Sequence, residues 1–141
     1  MSKTILLSNA DKAIYGEAVD LFYRNFTEHP EIRAMYFDNI VPVERILVMV
    51  RNKQVLGALK RGYNHNRGVV TIDFLAISEP HRCEGLGKRL VSSFEDLLRE
   101  KGIEKVGLRS RQGVEVLDFY KKQGYQEVEG YVSYWMEKQL I

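Results

Sequence analysis

A glycine-containing segment rich in basic residues is the part of the chain whose residue types most directly indicate chemistry. It reads Arg82-Cys83-Glu84-Gly85-Leu86-Gly87-Lys88-Arg89 and lies between a strand-like run and a helix-like run. The first N–H groups of a helix have no acceptor within the helix, and the helix dipole favours negative charge at that end. Glycines at alternate positions leave the backbone open to a phosphate. The segment therefore predicts an anion site suited to phosphate.

The spacing of this segment excludes two common nucleotide-binding motifs. Arg89 follows Gly87-Lys88 where a Walker loop needs Ser or Thr for magnesium. Leu90 stands where the dinucleotide-binding motif needs its third glycine. What remains is the pattern Arg-x-x-Gly-x-Gly, from Arg82 to Gly87.

This pattern, together with its surroundings, resembles the GCN5-related N-acetyltransferase (GNAT) superfamily. The run Phe74-Leu75-Ala76-Ile77-Ser78 before the loop and the run Phe119-Tyr120-Lys121-Lys122-Gln123-Gly124-Tyr125 after it are similar to the flanking motifs of that family. The resemblance implies an α/β fold with a mixed, mostly antiparallel sheet, a central parallel splayed strand pair and helices on both faces. It also implies direct transfer of an acetyl group from acetyl-CoA to a primary amine of a small molecule or peptide.

The resemblance implies a set of coenzyme A contacts along one strand, the loop and a later helix. The cofactor-binding residues are then Leu75, Ala76, Ile77, Arg82, Cys83, Glu84, Gly85, Leu86, Gly87, Lys88, Arg89, Gly113 and Tyr120. Many family members have asparagine at the position of Gly113. The N–H of Leu75 matches the group that polarises the thioester carbonyl, and Tyr120 matches the general acid toward the coenzyme A thiolate. A phenol is protonated at neutral pH, so it can donate a proton there.

The group that removes a proton from the acceptor amine is less well marked. Thr71 occupies the position where some family members carry a glutamate base. Asp73 lies two residues further on, shares the same strand face by alternation and is our first candidate, ahead of Glu79 and Glu28. The predicted acceptor-binding residues are Glu28, Tyr36, Asp73 and Trp135.

Loss of the strand glutamate keeps a second class of function open. A coenzyme A sensor or regulatory domain would keep the loop but lack a working base, and Tyr120 argues against it. A third possibility is an unrelated α/β protein that binds no coenzyme.

The periodicity of apolar residues predicts the elements that position these groups. Strands are expected over Ile5–Leu7, Ile46–Val50, Val55–Leu59, Val69–Ile77, Glu104–Leu108, Tyr125–Glu129 and Val132–Met136. Helices are expected around Ile14 to Phe26, Glu31–Phe37, Leu86–Leu98 and Val114–Gln123, and turns over Arg51–Gln54 and Gly62–Gly68. The strand–helix–strand passage from Val69 to Leu108 predicts a right-handed crossover with parallel strands.

Composition limits the remaining possibilities. A chain of 141 residues predicts one domain over 1–141, and a net charge of +2 does not favour nucleic acid as a partner. One cysteine and three scattered histidines indicate neither a disulfide nor a metal site. The apolar runs are too short for a membrane span or secretory signal, so we expect a cytoplasmic protein. A homodimer stays open.

Overall fold

The computed structural model describes residues 3–6, 12–25, 45–82, 84–110 and 113–141. Its elements in chain order are β1 (Lys3–Leu6), α1 (Lys12–Asn25), β2 (Ile46–Arg51), β3 (Gln54–Asn64), β4 (Val69–Ile77), a 3₁₀ turn (Glu79–His81), α2 (Leu86–Glu100), β5 (Lys105–Arg109), α3 (Gly113–Lys121), β6 (Gln126–Glu127) and β7 (Trp135–Gln139). The strands form a seven-stranded sheet in the order β1-β2-β3-β4-β5-β7-β6.

The sheet is mixed and mostly antiparallel, as expected. β4 and β5 are parallel, and α2 connects them in the chain. Contacts divide the chain into two compact units, one comprising Met1–Arg61 with Phe74–Ser93 and the other Gly62–Asp73 with Phe94–Ile141.

The first unit has a core between α1 and the sheet. Alternate residues of β2 and β3 face the apolar side of α1, and this cluster comprises Ala18, Leu21, Phe22, Ile46, Val48, Val50, Val55, Ala58 and Ala76. On the opposite face, a Cβ at Gly57 would lie 2.6 Å from the Ile77 side chain and 3.4 Å from Leu90 of α2. Every residue from Ile46 to Val50 is buried, so both faces of β2 are covered.

A bulge in β3 provides a hydrogen-bond acceptor for the residue that follows β4. Met49 pairs with Gly57 but Val50 pairs with Val55, so Leu56 is an extra residue on the β3 side. Its carbonyl accepts a 2.8 Å hydrogen bond from the N–H of Ser78, directly after β4. The bulge thereby anchors the start of the segment that leads into the glycine loop.

The second unit is built on the β5–β7 ladder. Val106, Leu108 and Met136 are fully or nearly fully buried, as are Phe94 and Leu98 of α2. Gly107 allows a close approach, because a Cβ there would lie 2.6 Å from the Trp135 ring and 3.2 Å from Val69.

Most predicted elements are confirmed, with boundaries shifted by one or two residues. The strand Val69–Ile77 agrees at both ends. β1 lies earlier in the chain than expected, and β5 lies one residue later. α3 ends at Lys121 rather than Gln123. The predicted helix Glu31–Phe37 and the residues around Phe26 lie outside the described residues.

Two predictions about turns and strands are wrong. Gly62 belongs to β3, which continues to Asn64, and the turn covers only residues 65–68. The final strand begins at Trp135 rather than Val132, because residues 129–134 form turns in which Gly130 and Tyr134 have φ of 78° and 65°. β6 is likewise reduced to Gln126–Glu127.

Candidate active site

The glycine loop enters α2 with its backbone set for an anion. Gly85 accepts the 3.2 Å hydrogen bond from the N–H of Arg89, so it caps the helix and the N–H groups of Leu86, Gly87 and Lys88 have no acceptor within the helix. Gly85 has φ of 76°, and, its chain neighbours aside, no atom of the described residues lies within 4 Å of the place where a Cβ would stand.

The side chains around this helix start are mainly cationic and exposed. Lys88, Arg89 and Arg82 are exposed, and Arg82 donates from Nε to the Ile77 carbonyl at 3.3 Å. His81 Nδ1 lies 3.1 Å from Glu84 Oε2. Leu86 is buried, so only its backbone can meet a ligand. Backbone donors, an open glycine and cations together fit the diphosphate of coenzyme A.

The strand before the loop provides a free backbone edge. The β4–β5 ladder, as described, contains only the pairs Val70–Val106 and Thr71–Gly107, although both strands continue. Leu75 and Ile77 lie further along β4 and are half-buried, whereas Ala76 is buried. A strand edge without ladder partners can pair with an extended ligand through its backbone.

Asp73 and Thr71 lie on the same face of β4, as strand alternation predicts. The Thr71 hydroxyl donates to Asp73 Oδ1 at 2.7 Å, and Thr71 is buried while Asp73 is exposed. The Asp73 carboxylate also lies directly over Gly62 of β3, where a Cβ would overlap it. The glycine in β3 thus makes room for this carboxylate.

Tyr120 lies near the end of α3 and is 6% exposed. Its ring packs edge-on against Phe119 and Tyr125, with centroids 5.0 and 5.4 Å away. Burial raises the pKa of the Tyr120 hydroxyl above its usual range. The hydroxyl therefore stays protonated throughout the neutral range, as a proton donor must.

A buried polar network next to Tyr120 was missed by the sequence reasoning. The Tyr125 hydroxyl donates to Glu95 Oε2 at 2.9 Å, and Lys138 Nζ donates to Glu95 Oε1 at 3.0 Å. Burial and the nearby Glu95 carboxylate raise the pKa of Tyr125. The helical spacing carried a signal, because Glu95 falls four residues after Val91 and three before Leu98 on the apolar stripe of α2.

Trp135, a predicted acceptor-binding residue, is buried and its indole is engaged within the protein. Its Nε1–H donates to Glu137 Oε2 at 2.7 Å, and the same carboxylate accepts bonds of 2.8 and 3.0 Å from Arg67. These bonds lower the pKa of Glu137, with Arg67 as the main cause. Strand alternation places Trp135 and Glu137 on one face. The predicted final strand ended at Met136, so it did not include Glu137.

The remaining predicted residues are only partly described. Cys83, Glu28 and Tyr36 lie outside the described residues, and Gly113 is the first residue of α3. Across the described ranges, no group of three or more His, Cys, Asp or Glu side chains is arranged to hold a metal ion. No described helix has both the length and the apolar character needed to cross a bilayer.

The mixed sheet, its short parallel ladder and the glycine loop define a class of acyl-CoA-dependent transferases. A model of the acetyltransferase (GNAT) family matches residues 12–125, and the chain belongs to this family. Acetyl-CoA is the acyl donor that the family uses.

Individual known proteins are similar to the chain in sequence or in fold. YyaT of Bacillus subtilis (strain 168) is 32% identical over 83 residues, which is 59% of this chain and 53% of YyaT, so the match spans about half of that relative. PaiA N-acetyltransferase from Thermoplasma acidophilum, solved in complex with coenzyme A, has a TM-score of 0.75 at 19% identity and 99% coverage of both chains. Tetrahymena GCN5 has a TM-score of 0.72 at 19% identity, covering 100% of this chain and 96% of that one. These two structures share the fold.

Proposed function

We propose that this protein transfers an acetyl group from acetyl-CoA directly to a primary amine of a small molecule or peptide. The observation that carries the proposal is the start of α2, where Gly85 leaves backbone N–H groups open beside exposed Lys88 and Arg89. Membership of the acetyltransferase family supports the same reading.

The loop and β4 bind and orient the cofactor in this proposal. The N–H groups of Leu86, Gly87 and Lys88 bind the diphosphate, and cationic side chains add charge-assisted hydrogen bonds. The backbone of Leu75 and Ile77 pairs with the pantetheine arm. The Leu75 N–H then donates to the carbonyl oxygen, where negative charge develops during attack. Acetyl-CoA, when bound, supplies the activated acyl group as a thioester.

Two side chains handle protons in this proposal. Asp73 accepts a proton from the acceptor ammonium, which must be neutral to attack a carbonyl. The Thr71 hydroxyl donates a hydrogen bond to one carboxylate oxygen of Asp73, which orients the carboxylate on its face of β4. Tyr120 donates from its hydroxyl to the departing sulfur. The C–N bond forms as the C–S bond breaks, the nitrogen loses its second proton and the sulfur gains one, so Tyr120 finishes the cycle as the phenol that burial favours.

A coenzyme A sensor without turnover is the alternative, favoured by one observation. Thr71 replaces the strand glutamate, and the structure shows it buried with its hydroxyl directed to Asp73. A sensor would bind coenzyme A but release no thiol.

Thiol release from acetyl-CoA in the presence of a panel of amines separates the two functions. We expect amine-dependent release with equimolar acetylated product by mass spectrometry. Tyr120→Phe should lower kcat by about 10² to 10⁴ if proton donation occurs in the transition state. Tyr63→Phe, which removes an exposed hydroxyl from β3, is the matched control and should keep the wild-type rate. Binding of coenzyme A without release from any amine would favour the sensor.

A further inference from the structure

The Tyr125–Glu95–Lys138 network places a carboxylate in the core of the second unit. The Glu95 and Lys138 side chains are 5% and 21% exposed, and Tyr125 is 1% exposed. Removing charges from water is costly, and a well-packed apolar replacement is often as stable or more so. A contribution to stability alone therefore gives a weak account of this cluster.

The network holds Tyr125 in one orientation. Its hydroxyl donates to one oxygen of Glu95, while Lys138 Nζ binds the other oxygen and lies 5.8 Å from the centroid of the Tyr125 ring. The stem of Lys138 also packs against the chain at Gly124, where a Cβ would lie 3.3 Å from Cε. Tyr125 is thus fixed at its hydroxyl and on its ring face.

Tyr125 in turn contacts Tyr120 in two ways. Its N–H donates to the Tyr120 carbonyl at 3.1 Å, which closes the end of α3. Its ring meets the Tyr120 ring edge-on, with an interplanar angle of 71°. Tyr120 itself has no hydrogen bond from its hydroxyl to any residue that the structure describes, so packing against its neighbours sets where that hydroxyl points.

We propose that Glu95, Lys138 and Tyr125 are positioning residues that hold the Tyr120 hydroxyl in its proton-donating orientation. The inference rests on the role proposed above for Tyr120. The three residues act through the Tyr120 ring and do not touch the reacting atoms. The network selects one orientation of a ring that would otherwise be held by apolar contacts alone, and a donor displaced by about 1 Å can cost 10²-fold in rate.

Two variants remove the network in different ways. Tyr125→Phe keeps the ring and deletes the hydroxyl that Glu95 binds. Glu95→Leu combined with Lys138→Met removes the acceptor while replacing both charges by apolar side chains of similar size, so neither charge is left unpaired in the core. We expect each variant to lower kcat about tenfold. This loss is smaller than the 10²-fold that displacing the donor by about 1 Å can cause. The Kd for coenzyme A should not change, and Tyr63→Phe should again retain wild-type kcat.

A double-mutant cycle distinguishes positioning from a general structural role. If the network acts through Tyr120, then Tyr125→Phe should cause no further loss of kcat in a Tyr120→Phe background. Glu95→Gln, which retains an oxygen that can accept from Tyr125, should restore most of the activity lost in the doubly apolar variant. Ring flipping of Tyr120, followed by NMR of selectively labelled tyrosine, should be faster in Tyr125→Phe than in the wild type.

The contrary results distinguish failure of the positioning role from failure of the proposed function. Wild-type kcat and flipping rate in Tyr125→Phe, or losses that multiply in the double variant, would overturn the positioning role while leaving the proposed function intact. Wild-type kcat in Tyr120→Phe would overturn the role of Tyr120, and this inference with it. If no amine supports turnover, the proposed function fails, and the flipping rates alone decide whether the network holds Tyr120.

Discussion

The hydroxyl of Thr71 donates to the carboxylate of Asp73 across one face of β4, at 2.7 Å. The same carboxylate lies over Gly62, in the space that a Cβ there would fill. The first candidate for the base is therefore hydrogen-bonded to a neighbour on its own strand.

Asp73→Asn should lower kcat by about 10²-fold near neutral pH, since the amide cannot accept the proton of the ammonium. The deficit should shrink as pH rises toward the pKa of the acceptor, about 10 for an alkylamine, because the neutral amine then needs no base. Initial rates across pH 6.5 to 10 would check this. An equal deficit at every pH would contradict the role of base.

Gly62→Ala tests the same carboxylate without changing it. A Cβ at position 62 overlaps the Asp73 side chain, so the carboxylate must move and kcat should fall while Asp73 remains present. Gly16→Ala adds a methyl group in open space on α1 and is the control, expected to keep wild-type kcat. Full activity of Gly62→Ala would show that the position of Asp73 does not matter.

Gly85→Ala should weaken coenzyme A binding about tenfold or more, because its methyl group would occupy the space left for the diphosphate. The substitution also strains a backbone with positive φ, at a cost of about 1 to 2 kcal/mol. Gly102→Ala is the matched control, since Gly102 has φ of 74° and equally open surroundings after the other end of α2. Titration calorimetry with coenzyme A and thermal unfolding would separate affinity from strain. Equal loss of affinity in both variants would contradict an anion site at Gly85.

The buried hydroxyl of Tyr120 predicts how stability falls in alkali. The pKa of Tyr120 is raised in the folded state. Its contribution to the free energy of unfolding is therefore fully present below its pKa in the unfolded chain, about 10, and is lost as pH rises from there through the folded-state pKa. The loss can reach about 1.4 kcal/mol per pH unit for one group. We expect the free energy of unfolding of Tyr120→Phe to fall less steeply than that of the wild type between pH 9.5 and 11. Parallel curves from denaturant titrations would contradict this.

The pKa of Glu137 predicts that the protein loses stability in acid rather than in alkali. The pKa of Glu137 is lowered in the folded state, mainly by Arg67. Its contribution to the free energy of unfolding is therefore present above its pKa in the unfolded chain, about 4.3, and is lost as pH falls through the folded-state pKa. Glu137→Gln should therefore lower Tm by several degrees at pH 7, and the difference should narrow below about pH 4. A constant difference from pH 7 to pH 3 would show that the charge of Glu137 contributes nothing.

The central strand and its loop could be predicted because their signals are local. The apolar run of β4, the two glycines and the apolar stripe of α2 follow one another without interruption. The end of α2 was also marked locally, since Gly102 is followed by the N–H of Ile103 bonding to the Leu98 carbonyl at 2.9 Å.

The elements of the second unit depend on contacts that sequence patterns do not reveal. The start of β7 is set by pairing of Trp135 with Arg109, whereas the aromatic and apolar residues before it predict a strand that the turn at Tyr134 prevents. The partners of Glu95 lie 30 and 43 positions away along the chain. A glutamate on an apolar stripe indicates burial but does not identify which groups will meet it.

Trp135 is the sole tryptophan of the chain, and it is 4% exposed against Gly107 in the second unit. Its fluorescence therefore provides a built-in reporter on that half of the molecule, with no label and no engineered residue. A red shift of its emission during denaturation marks the moment when water reaches the β5–β7 ladder. Comparing that signal with circular dichroism of the helices would reveal whether both halves melt together.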